Sequence, residues 1–132
     1  MALNCVEELP LGSLMVDKVI LLSPCLEASY DLCKTINRTQ KGIVAYRSAL
    51  DVPISVPLTT LHGLANGQLH LSATVVGFQT PKHLSSREKE EYERLVVQKA
   101  FHPKMLKTGH VGGHFGWTMP AFVSKYVVPD LR

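Results

Sequence analysis

Ser85-Ser86-Arg87-Glu88-Lys89-Glu90-Glu91-Tyr92-Glu93-Arg94-Leu95-Val96-Val97-Gln98-Lys99-Ala100-Phe101 is the stretch on which the division of the chain turns. Ser85 with Glu88 has the spacing of a capping box, in which two side chains satisfy backbone N–H groups left open at a helix start. Arg87 with Glu91, Lys89 with Glu93 and Glu90 with Arg94 stand four apart, the separation that brings opposite charges together on a helix surface. Tyr92, Leu95, Val96 and Ala100 make an apolar stripe at helical spacing, and Pro103 disfavours helical backbone at His102. The pattern predicts a helix over 86–101, then a further helical turn from Pro103 that ends at Gly109.

Towards the N-terminus, Leu14 to Leu22 is β-prone, and its last four residues, Val19-Ile20-Leu21-Leu22, suit a strand buried on both faces. Ser23-Pro24 reads as an N-cap followed by proline at the first helical position. Glu27 and Asp31 early and Lys34 and Arg38 late suit the helix dipole, so a helix over 24–37 is expected. Gly42 breaks it, and Ile43 to Leu50 reads as a second strand. Pro53 and Pro57 exclude a regular central strand between them. Asn66-Gly67 is a hairpin signal, expected to join strands near 58–65 and 68–78. Phe122 to Val128 reads as a last strand stopped by Pro129. This order of elements predicts an α+β fold: a mainly antiparallel sheet with two principal helices packed on one face, in a single globular domain over 1–132.

Composition is that of an ordinary globular chain: 132 residues, 45% apolar and 19% charged. Glu7 and Glu8 stand where a secretory leader would be positive, and the Val19–Leu22 run is far short of the roughly 20 apolar residues that span a bilayer. Cys5, Cys25 and Cys33 are odd in number and include no Cys-x-x-Cys pair, which reads as reduced thiols. An intracellular location, cytoplasmic or nuclear, is the expectation. The net charge of +3 is unevenly spread, because residues 1–81 hold five basic and six acidic side chains whereas 82–132 hold nine and five. From Arg94 to Lys125 there is no acidic residue at all.

Gly109-His110-Val111-Gly112-Gly113-His114-Phe115-Gly116-Trp117 gathers four glycines, two histidines and the sole tryptophan without matching a catalytic signature. A zinc-binding His-x-x-x-His uses one helix face with a glutamate between the histidines, and here Val111-Gly112-Gly113 intervenes. No metal and no cofactor are therefore expected. His62 and His70 project to opposite faces of a two-residue hairpin and make no joint site. Cys25 falls in the first turn of an expected helix, where the dipole would activate a thiol, but no local base accompanies it.

Aromatic residues interleaved with cations are what single-stranded nucleic acid binding uses. The expected function is therefore a non-enzymatic binding or assembly protein, such as a ribonucleoprotein accessory or a viral matrix-type structural protein. Its basic C-terminal half would engage RNA, an anionic membrane surface, an acidic protein or a second copy of itself. Lys104, Lys107, Phe115, Trp117 and Lys125, with His110 and His114, are the candidate binding residues. The alternative is a small enzyme using His110 or His114 as general acid or base, since histidine titrates near neutrality.

Overall fold

A computed structural model describes residues 2–10, 15–51 and 72–132. At its centre are three strands, β1 (Val19–Leu22), β2 (Ile43–Arg47) and β3 (Val96–Ala100), in the order β1-β2-β3. Both pairings are parallel, with Val19 opposite Ile43 and Ile43 opposite Val96. Parallel neighbours need a crossover of a dozen or more residues, and the connections carry helices. Cys33–Ile36 (α2) lies between β1 and β2, and Ala73–Val76 (α3) and Ser86–Leu95 (α4) lie between β2 and β3. Ala2–Glu7 (α1) precedes them all.

Alternate residues of β1 and β2 face opposite cores, so the sheet is covered on both sides. Val19, Leu21, Ile43 and Ala45 pack with Leu3, Leu32, Ala73, Phe78, Tyr92 and Val96. Val44 and Tyr46 pack with Met105, Trp117, Phe122 and Val127, joined at the margin by Ile20 and Leu22. The second cover is built from the C-terminal third. It comprises 3₁₀ turns at Pro103–Thr108 and His114–Thr118, then a helical run through Pro120–Phe122, Val123–Val127 and Val128–Asp130.

The mainly antiparallel sheet with two principal helices on one face is thus corrected to a small all-parallel sheet with several short helices. Three local readings account for the difference. The expected helix over 86–101 ends at Leu95, where the β-branched pair Val96-Val97 turns extended and hydrogen-bonds along β2. The expected last strand at 122–128 is helical, because Phe122, Val123, Tyr126 and Val127 recur at helical spacing and pack on Tyr46 and its neighbours. The expected helix over 24–37 is confined to Cys33–Ile36. The Asn66-Gly67 turn and the prolines at 53 and 57 lie outside the described residues, and the end of the second hairpin arm is the helical turn Ala73–Val76. The turn from Pro103 is present, and Gly109 ends it at φ 80°.

Candidate functional site

Parallel strands send all their following loops to one edge of the sheet, and ligands of such sheets bind outside the carboxyl ends. Three polar side chains meet at that edge here. Ser23 follows β1, Asp51 follows β2, and His114 stands on the long connection after β3. Ser23 continues the sheet by donating its N–H to the Tyr46 carbonyl at 3.0 Å, and it turns sharply at φ 49°, a left-handed conformation costly for a residue with a Cβ. Its Oγ donates to Asp51 Oδ2. The same carboxylate oxygen lies 2.8 Å from His114 Nδ1.

The Asp51 side chain is 1% exposed and that of His114 is 26% exposed. Asp51 is held by a short turn in which its N–H donates to the Ser48 carbonyl at 3.2 Å, while the Ser48 N–H donates to the Thr74 carbonyl at 2.8 Å. Its second oxygen, Oδ1, is buried without a hydrogen-bond partner. An ionised carboxylate only accepts, so across this contact an ionised Asp51 would take its hydrogen bond from an N–H at His114 Nδ1. The arrangement is a histidine partly open to solvent and backed by a carboxylate out of water.

His110, four residues earlier, is wholly enclosed. Its ring meets Trp117 edge-on at 4.0 Å between centroids and Phe122 at 5.0 Å, and its Nδ1 accepts the Gly112 N–H at 2.9 Å. Burial lowers its pKa from the ordinary value, against a weaker upward pull from Asp51. Gly112 turns at φ 88° to deliver that N–H, and a Cβ on Gly116 would overlap His110 Nδ1. The glycine cluster therefore folds around one histidine and presents the other.

The remaining candidate binding residues divide in the same way. Trp117 is 0% exposed in the second core and, like His110, has no surface to offer a partner. Lys104, Lys107, Phe115 and Lys125 are exposed, and Lys125 reaches over the Tyr126 ring. The acid-free stretch is less isolated than its sequence suggests, since Lys99 pairs with Asp130 at 2.5 Å and Arg94 with Glu91 at 3.7 Å. Cys25 is exposed and lies outside any helix, and burial of its sulfur followed by the Asp51 charge pushes its thiol pKa up.

Sequence reasoning passed over Asp51 and Ser23. A signal was present, because Asp51 is the sole acidic residue between Asp31 and Glu88 and it directly follows the strand expected over Ile43 to Leu50. Among the described residues no helix is long and apolar enough to cross a membrane. No family model, curated protein or solved structure matches the chain.

Proposed function

We propose that the chain carries the acid–base centre of a hydrolase, with His114 as general base and Asp51 as the group that orients it. The observation behind this reading is the 2.8 Å contact from His114 Nδ1 to a carboxylate almost wholly removed from water. Such a carboxylate holds the imidazole in the tautomer that exposes Nε2 and stabilises the imidazolium formed when Nε2 takes a proton. The proton comes from an attacking hydroxyl or water and is then delivered to the leaving group. Ser23 does not serve as that hydroxyl, because its Oγ donates to Asp51 and the residue is buried.

Two further features support acyl transfer as the reaction class. In acyl-transfer hydrolases built on parallel sheets the acid precedes the histidine along the chain, as Asp51 precedes His114; this is an analogy of order and position. Leu50 and Phe115, next to Asp51 and His114 in the chain, and Val111, three residues before His114, are 60%, 70% and 72% exposed, which suits an apolar acyl group. The test is hydrolysis of activated aryl esters by the full chain and by Asp51→Asn and His114→Gln. Each variant is expected to keep its far-UV circular dichroism and to fall about 10³–10⁴-fold in kcat. A wild-type chain without turnover, or variants at the wild-type rate, overturns the reading.

A second reading is electrostatic association with RNA, an anionic membrane surface or an acidic protein. Its support is the exposure of Lys104, Lys107 and Lys125, none of which has a carboxylate partner among the described residues. Replacing Lys104 and Lys107 by glutamate is expected to lower the salt dependence of RNA binding by about 1 in log–log slope for each phosphate that a lysine no longer neutralises. Unchanged binding, or none at low salt, removes RNA as the partner in this reading.

A further inference from the structure

On the first core's side of the sheet, away from the Asp51–His114 pair, Asp31, Cys33 and His83 offer three ligand atoms within 4.8 Å of one another. The local backbone arranges the first two. Asp31 Oδ1 accepts the Cys33 N–H at 2.9 Å, which leaves Oδ2 towards His83 Nε2 at 3.8 Å. Ligand atoms on one tetrahedral zinc ion, with bonds of about 2.0–2.3 Å, stand roughly 3.3–3.8 Å apart. Contraction by up to about 1.5 Å is needed, and the exposed His83 side chain on the loop before α4 can rotate to supply it.

An independent feature points the same way. Cys33 lines a cleft of about 520 Å³ together with Glu88, Leu84 and Tyr92. Tyr92 is 4% exposed, and its hydroxyl has no hydrogen-bond partner. A buried phenol is normally satisfied by protein or ligand, and a water on a metal held at Cys33 would satisfy this one.

The geometry points to a zinc site formed by Asp31, Cys33 and His83, with a fourth position for water on the side of the Tyr92 hydroxyl. Carboxylate, thiolate and imidazole together are a donor set that suits zinc and not magnesium or calcium, which prefer oxygen alone. Three protein ligands with an open place is the coordination that binds and polarises a small oxygen ligand. Zinc displaces the thiol proton on binding, so one proton is released to solvent from Cys33 for each ion held.

The test is titration of the reduced full chain with Zn²⁺ and with Co²⁺, whose thiolate bond gives a near-ultraviolet charge-transfer absorption. One ion per chain is expected, with the absorption abolished in Cys33→Ser and binding weakened in His83→Ala. Cys5→Ser serves as the control that keeps both. If Cys33→Ser fails to fold, His83→Ala decides, since that side chain is 65% exposed and outside the core. Absence of the absorption in the wild type, or a His83→Ala variant that binds as tightly as the wild type, overturns the assignment. Neither result touches the Asp51–His114 reading, whose residues are unaltered.

Discussion

His110 accepts the Gly112 N–H on Nδ1, so its neutral form carries its proton on Nε2 inside a ring of Phe101, Trp117 and Phe122. Its folded-state pKa lies below the unfolded value of about 6.5. Above that pH the ring is neutral in both states and adds no pH dependence. Below it the unfolded chain binds the proton first, so stability falls as pH drops through about 6.5, with a limiting slope of about 1.4 kcal/mol per unit. Unfolding followed at pH 8 and pH 5 is expected to show a larger drop in stability in the wild type than in His110→Phe, and equal drops would refute this account. Gly116→Ala tests the same packing sterically. The new Cβ meets a ring held by aromatic neighbours, and a destabilisation of about 1–3 kcal/mol is expected. Gly113→Ala, with nothing within 4 Å of its Cβ, should be close to neutral.

At the scale of elements, α4 shows how far local signals reach. Its start is written in the sequence: Ser85 Oγ accepts the Glu88 N–H at 3.4 Å and Glu88 Oε2 accepts the Ser85 N–H at 2.8 Å. Ser85→Ala is expected to cost about 1 kcal/mol in chemical denaturation, and a cost indistinguishable from zero would show the box to be idle. Its end is not written locally. The apolar stripe continues through Val96, and only the ladder to β2 makes the chain extended there. The run from Phe122 to Val128 is the converse case, a β-prone composition that packing holds in a helix.

For the whole molecule, the C-terminal run is tied across the sheet at Asp130. Its carboxylate accepts from Tyr46 Oη at 2.5 Å and from Lys99 Nζ at 2.5 and 2.7 Å, and its carbonyl accepts from Lys18. Burial raises the carboxyl pKa, but the Lys99 and Tyr46 hydrogen bonds and the charges of Lys99 and Lys18 outweigh it, so the pKa is lowered. A depressed carboxyl stabilises fully above its unfolded value of about 3.9, and the contribution is lost as pH falls through the folded one. Acid unfolding of Asp130→Asn should therefore be flatter below about pH 4 than that of the wild type, with a lower thermal midpoint at pH 7. An acid limb of unchanged steepness would show that this tie adds little.

By itself the sequence determined features whose causes lie within a few residues. These are the strand at Val19–Leu22, the capped start of α4, the turn from Pro103 closed by Gly109, and the prominence of the 109–117 cluster. Capping, turn chemistry and short apolar runs act locally, so they are legible without a fold. Tertiary structure alone decided that the strands are parallel. It also decided that His110 is packing while His114 is free to act, because that depends on Asp51, 63 positions away along the chain. The doubly buried runs of β1 and β2 hinted at a covered parallel sheet. Which loops then meet at its carboxyl edge follows from strand order and crossover, and residues brought together by long-range closure leave no spacing in the sequence to read.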